Sequence, residues 1–209
     1  NQRLTIADDP SLGFVDGDFT LEFWAGPDYD NFGGSSRLLL DTRSISGGGG
    51  QIVGLLADGR IATYLRTSTG ANTGNLYSTG SVPDDDDLHQ IAVVFDYGAT
   101  PGAGNVLFYV DGTPISTASF SGLTGTADGS GPWTIGNHAV GIGTGWGTFV
   151  GDINLFRAYA RGLTAAEVLE SYNAGYGLAV PEPSAGLLLT IGLVGLLGCA
   201  RRGRGRKRK

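Results

Sequence analysis

FTLEFWA, residues 19–25, alternates apolar and polar positions. Phe19, Leu21 and Phe23 fall on one face, and Thr20, Glu22 and Trp24 on the other, which is the period of two of a β-strand. Working outward, LHQIAVVFDY at 88–97 and VLFYV at 106–110 read as buried strands. Further β-type runs lie at 37–42, 51–57, 60–66, 114–119, 133–137 and 149–159. Gly, Asp, Asn and Ser turns separate them at roughly the 8–12 residue spacing of a two-sheet sandwich. Asp58-Gly59 and Asp111-Gly112 are tight-turn signals, and the first predicts a two-residue hairpin with positive φ at both positions. Gly-rich stretches at 47–50, 70–74 and 141–147 read as loops. One helix is predicted after Leu163. Thr164 and Glu167 form a capping box, Val168, Leu169 and Tyr172 an apolar stripe, and Gly175 a stop.

The chain has 209 residues, and its charge is divided sharply. Seven of the 14 Lys and Arg residues lie in the last nine positions, RRGRGRKRK. The part before Pro181 has seven arginines against nineteen acids, a formal charge of −12. Such a surface repels phosphates, so nucleic acid is excluded as a partner. The single Cys199 excludes an internal disulfide. Asn1 begins in polar sequence with no visible signal peptide, so a processed N-terminus or a fragment is expected.

The last thirty residues carry a second pattern. Pro181 and Pro183 around Glu182 hold an extended backbone suited to a protease or transpeptidase cleft. The apolar run 185–200 is 16 residues long, at the short end of the about 17–25 that span a bilayer. The basic flank starting at Arg201 and Arg202 stays on the cytoplasmic side, which places everything before Pro181 outside the cytoplasm. An ordinary single-span anchor with a basic stop-transfer flank has the same layout.

Catalytic chemistry finds little support. The part before Pro181 has Glu22, Glu167 and Glu170 as its only glutamates, and none falls in a strand motif that pairs carboxyl groups for glycoside hydrolysis. No catalytic residue is assigned. Trp146, in the Gly-rich loop, is a candidate to stack on a sugar ring or to fold back over the sandwich end. His138 and Asn137 stand beside that loop and join it as ligand-contact candidates. His89 reads as a hydrogen-bonded residue at the core edge. Asp16 and Asp18, flanking Gly17 before the first strand, are candidate calcium ligands, since calcium takes six to eight oxygens. The acidic run 84–87 reads as a solvated turn.

Several segments together resemble the laminin-G-like, concanavalin A-type jelly-roll family. They are FTLEFW at 19–24, LHQIAVV at 88–94, VLFYVDGTPI at 106–115 and WTIG at 133–136. The closing segment 151–168 aligns without gaps to that family's G-x-I-D-E-V-R-I-Y-N-R-A-L-S-x-E-E-I signature. Gly151, Ile153, Arg157, Tyr159, Arg161, Leu163, Thr164 and Glu167 take the expected positions. The resemblance implies an all-β, two-sheet antiparallel jelly-roll sandwich whose closing strand and short C-terminal helix seal one edge. It also implies a structural calcium near Asn154, weakened because Asn replaces the family's Asp. The C-terminal array is similar to the PEP-CTERM sorting signal, handled by an exosortase in the inner membrane. The expected organisation is a laminin-G-like domain at 1–178, a linker with the motif at 179–184, a transmembrane segment at 185–200 and a basic cytoplasmic tail at 201–209. The expected protein is exported, anchored in the inner membrane before processing, and then displayed at the cell surface or in the extracellular matrix. Its expected role is non-catalytic binding of a polysaccharide or other matrix polymer. The alternatives are a structural or adhesive matrix protein and a glucanase-type enzyme.

Overall fold

A computed structural model describes residues 3–9, 11–13, 17–43, 49–127, 131–138 and 145–176. The linker motif, the apolar run and the basic tail lie outside the described residues. The strands are β1 (Leu4–Ile6), β2 (Phe19–Pro27), β3 (Arg37–Asp41), β4 (Gly50–Leu55), β5 (Arg60–Arg66), β6 (Leu76–Ser81), β7 (His89–Asp96), β8 (Gly104–Val110), β9 (Thr113–Phe120), β10 (Trp133–Ile135), β11 (Gly147–Thr148) and β12 (Gly151–Tyr159). One helix, α1 (Ala165–Ala174), follows them. Among the described residues, seven strands form one sheet in the order β1-β10-β3-β4-β5-β6, with β11 beside β3. Five form the other, β12-β2-β7-β8-β9. All pairings are antiparallel except β11 with β3. The fold is the expected all-β sandwich.

The alternation in β2 sets the main core. Phe19, Leu21, Phe23 and Ala25 point between the sheets and meet Leu40, Val53, Leu55, Ile61 and Leu65 in one buried cluster. Phe19 stacks on Phe95 at 4.2 Å, and Phe156 packs against both Phe23 and Trp133. Each fully buried large apolar side chain contributes about 1.5–3 kcal/mol.

The other face of β2 is buried as well. Helix α1 lies across the outer face of the five-stranded sheet, and Leu163 and Val168 pack there on Ala92, Val94 and Tyr109. The chain turns onto this face through Thr20, whose hydroxyl donates to the Arg161 carbonyl at 3.0 Å and accepts from the Leu163 N–H at 2.9 Å. The expected capping box then starts the helix, with the Glu167 N–H on the Thr164 hydroxyl and the Thr164 N–H on the Glu167 carboxylate. The closing segment therefore differs from the expected edge seal. Strand β12 takes the edge beside β2, and the helix covers a face.

Under the helix, Glu22 is fully buried. Its carboxylate accepts from Ser171 Oγ at 2.7 Å, Tyr159 OH at 2.8 Å, Gln90 Nε2 at 3.0 Å and Arg157 Nη1 at 3.3 Å. Burial and the adjacent Glu22 charge push the Tyr159 hydroxyl above its ordinary 10.0, so it remains a donor.

Two local expectations change. Gly59 alone has positive φ in the first turn. The Gly59 N–H bonds to the Leu56 carbonyl and the Leu56 N–H to the Arg60 carbonyl. This is a three-residue loop with a left-handed glycine, not a two-residue turn. The Asp111-Gly112 turn does have both positive angles, 50° and 72°. Strand β6, LYSTGS, has no counterpart in the sequence reading, because its mostly polar residues sit at the sheet edge.

The Asp111 turn also anchors a charged corner. Asp111 accepts from the Gln90 N–H at 2.9 Å and pairs with His89 Nδ1 at 2.7 Å, while His89 Nε2 pairs with Asp85 at 2.8 Å. This agrees with the hydrogen-bonded core-edge role expected of His89. Both ring nitrogens face carboxylates, so only the doubly protonated imidazole satisfies both. Burial opposes that charge, but the hydrogen bonds to Asp85 and Asp111 outweigh it and hold His89 above its ordinary 6.5.

Two predictions follow from these clusters. Arg157→Met leaves the buried Glu22 charge uncompensated and should lower unfolding free energy by about 3–5 kcal/mol. Ser171→Ala should cost about 1.5–3 kcal/mol, the worth of one hydrogen bond to a charged group. Urea denaturation measures both, and equal wild-type-like midpoints would refute the role assigned to Glu22. The His89 contribution is full below the ordinary value of 6.5 and is lost as pH rises through the raised folded value. Stability measured across that window should fall with rising pH, and His89→Gln should flatten the slope.

Candidate functional site

The residues singled out around the last Gly-rich loop do come together. Strand β10 stops where Gly136 takes a φ of 76°, releasing Asn137 and His138 from the sheet. The Asn137 side-chain carbonyl accepts from the His138 N–H at 2.7 Å and from the Thr148 hydroxyl at 3.1 Å. His138 Nε2 bonds to the Trp146 carbonyl. Its Nδ1 lies 3.7 Å from the fully buried Asp41 carboxylate, which Arg43 grips through Nε at 2.9 Å and Nη2 at 2.8 Å. His138 thus holds the backbone at Trp146, just before β11, and Asn137 holds the Thr148 side chain within it. The braced segment fixes Trp146.

Trp146 is half-buried against a gap in the sheet. Gly54 of β4 has no side chain, and a Cβ there would stand 2.6 Å from Trp146 Cζ3. The strand register carries this surface sideways. Gly54 pairs with Ala62, and Ala62 pairs with Tyr77. Tyr64 lies on the same face of β5, two residues from Ala62. The outer face of the seven-stranded sheet therefore bears three rings, Trp146, Tyr64 and Tyr77, around a floor of small residues. Ala62 is fully buried, while Tyr77 is 41% exposed. The Arg60 guanidinium sits 5.5 Å from the Tyr77 ring centre and is paired with Asp58 at 2.8 Å. Tyr64 and Tyr77 were not singled out in the sequence. Tyr64 was within reach, since Ile61, Thr63 and Leu65 face the core and leave Ala62 and Tyr64 on the other side. Tyr77 was hidden with its unrecognised strand.

The calcium candidates do not converge. Asn154 is the extra residue of a β-bulge in β12, between Ile153 opposite Ala25 and Leu155 opposite Trp24. Asp18 precedes the other end of β2, about 20 Å away at roughly 3.3 Å per residue. There it accepts the Tyr97 N–H at 2.9 Å. Asp16 lies outside the described residues. No three carboxylate, imidazole or thiol groups that could hold a metal gather among the described residues.

The glutamates are committed elsewhere. Glu22 is enclosed by four donors. The Arg161 guanidinium and the Thr164 cap bring Glu167 down to about 2, so it stays ionised at neutral pH. Glu170 lies on the same helix.

Comparison with known proteins places this geometry. Residues 1–169 match a family model described as the concanavalin A-like lectin/glucanases superfamily, and residues 179–202 match a PEP-CTERM protein-sorting motif. Among curated proteins none matches. Among solved structures, the fold is similar to the CBM40 of the Ruminococcus gnavus IT-sialidase, at 14% identity and a TM-score of 0.59, over 81% of this chain and 96% of that one. The same CBM40 is solved bound to alpha2,3 sialyllactose. The fold is also similar to the receptor-binding domain of botulinum neurotoxin type G, at 16% identity and a TM-score of 0.54, over 82% of this chain and 42% of that one. A structure of botulinum neurotoxin type C, whose cell entry is dependent upon interaction with two ganglioside molecules, matches at 13% identity and a TM-score of 0.61, over 82% of this chain and 40% of that one. The chain spans about two fifths of the neurotoxin chains it matches. At these identities the shared property is the fold.

Proposed function

Because the chain belongs to the concanavalin A-like lectin/glucanase superfamily and carries a PEP-CTERM protein-sorting motif, we propose that it is a surface-displayed, non-catalytic module that binds an extracellular polysaccharide. The motif marks proteins that are exported, held in the membrane before exosortase processing and then displayed at the surface. The described part is the exported domain, and the organisation at 1–178, 179–184, 185–200 and 201–209 is the reading adopted for the whole chain. Among the described residues no helix is long and apolar enough to cross a membrane. The segment assigned to the bilayer lies beyond them.

The observation that carries the binding reading is the ring-bearing outer face of the seven-stranded sheet. Trp146 covers Gly54, Tyr77 stands exposed beyond it, and the buried Ala62 lies between them in register. Aromatic faces present large rigid surface at low entropy cost and take the C–H face of a sugar ring. Asn137 and His138 act here as positioning residues, since their hydrogen bonds go to the backbone and side chain of the segment that holds Trp146. The glycan ligands of the CBM40 and of the type C neurotoxin support a carbohydrate over another polymer. The commitments of Glu22 and Glu167 favour binding over hydrolysis.

The experiment is a glycan array of the exported domain, followed by titration of each hit. Tyr77→Ala and Trp146→Ala should each weaken binding about tenfold, or about 1.4 kcal/mol. Defined hits unaffected by either change would move the site elsewhere, and an empty array would favour a structural or adhesive matrix role. Sorting is tested separately. Changing Pro181, Glu182 and Pro183 together to Ala should trap an unprocessed, membrane-bound form, and unchanged release into the medium would refute exosortase handling.

A further inference from the structure

Charge is spread unevenly over this domain. Residues 37–83, which supply β3 to β6, carry four arginines against two acids. The rest of the part before Pro181 carries three arginines against seventeen acids. A strongly acidic domain thus keeps a cationic excess on the strands that bear Gly54, Tyr64 and Tyr77.

The strand pattern puts part of that excess on the ring-bearing face. Ile61 and Leu65 of β5 enter the core, so Arg60, Ala62, Tyr64 and Arg66 share its outer side, each about 6.6 Å from the next. Both acids of the region are engaged, Asp41 by Arg43 at 2.8 Å and Asp58 by Arg60 at 2.8 Å. The Asp58–Arg60 pair is exposed, and such pairs hold weakly. The other two arginines have no carboxylate partner among the described residues. Arg37 donates to the Asn31 and Phe32 carbonyls, and its guanidinium lies against Gly147, next to Trp146. Arg66 is partly exposed, and its guanidinium makes no hydrogen bond among the described residues. It lies beside the turn at Gly70, where a Cβ would stand 3.8 Å from its Nη2. A planar fork of five donors is therefore open, two residues along the strand from the Tyr64 ring. The acids elsewhere act only weakly here, because charges beyond about 8 Å are largely screened at physiological salt.

We propose that the ring-bearing face takes an acidic polysaccharide, one whose sugars carry carboxylate or sulfate groups. This rests on the carbohydrate reading above and narrows it. Sugar rings lie on Tyr77 and Tyr64, an acid group of one sugar enters the Arg66 fork, and another draws Arg60 away from Asp58. Arg60 and Arg66 stand about 20 Å apart along β5, so only an oligomer touches both. The chemistry selects this class. A guanidinium matches a planar acid group with two parallel bonds. A neutral glycan would leave Arg66 unanswered. An acidic peptide would answer it, but it brings no C–H ring face to the tyrosines.

The test is calorimetric titration of the full-length protein in detergent micelles with two acidic probes, an oligogalacturonate and a sulfated oligogalactan. The methyl ester of the first and the unsulfated form of the second are their neutral counterparts, and an oligoglutamate supplies charge without sugar. At least one acidic probe should bind about tenfold more tightly than its neutral counterpart, and which one does so tells carboxylate from sulfate. Arg66→Gln should remove that preference and leave the neutral forms unchanged. Asp58→Asn frees Arg60 and should tighten the acidic probe alone, a gain that misfolding cannot imitate. Tyr77→Ala should weaken acidic and neutral forms together. Neutral glycans bound as tightly as acidic ones, and weakened by Tyr77→Ala, would overturn the acidic assignment while leaving the carbohydrate face standing. No binding of either acidic probe, a preference indifferent to both Arg66→Gln and Asp58→Asn, or oligoglutamate binding equally well would also overturn it.

Discussion

The buried carboxylate of Glu22 is the constraint on which the rest of this domain depends. A lone charge in that position would be strongly unfavourable. Four donors make it tolerable, and they come from β12, β7 and α1, three elements far apart in sequence. Glu22 can be satisfied only when all three have arrived. The cluster thus ties β2, β7, β12 and α1 into one arrangement. It holds the helix on a face that would otherwise expose Ala92, Val94 and Tyr109 to water.

With the helix fixed there, the two outer surfaces diverge in character. The seven-stranded sheet carries aromatic rings over the small residues Gly54 and Ala62 on its outer face, with Tyr77 exposed. The five-stranded sheet has its outer face roofed by the helix. The missing side chain of Gly54, whose place the Trp146 ring takes, is a local departure from regular sheet packing. Such a departure is expected where a surface serves something other than stability.

Much of this was readable from the chain. The alternation of residues 19–25 named the core face of β2 correctly, and the Thr164–Glu167 pair placed the helix start, because both signals are local. The closeness of Asn137, His138 and Trp146 was legible for the same reason, since one loop carries them. What could not be read depends on distant partners. Nothing in the sequence near Glu22 says that Ser171 will cover it. The polar strand at 76–81 is defined by its neighbour β5 and not by its own pattern, so Tyr77 stayed hidden with it. The turn at Asp58 failed for a subtler reason, since the same Asp-Gly pair suits a two-residue loop or a three-residue one. The separation of Asn154 from Asp18 follows from the length of β2, which family likeness alone does not convey.

The position of the helix has a mechanical consequence. The described chain leaves the domain at Tyr176, just past the helix, and the helix is held on its face by side-chain packing and by hydrogen bonds such as Ser171 to Glu22 and Gln90 to the Val168 carbonyl, with no backbone ladder to the sheet. Tension applied at that exit loads the helix first and peels it, one contact after another. Only then does it reach β12, whose run of backbone bonds to β2 resists together. The domain is therefore built to yield softly at its exit while the sandwich stays intact.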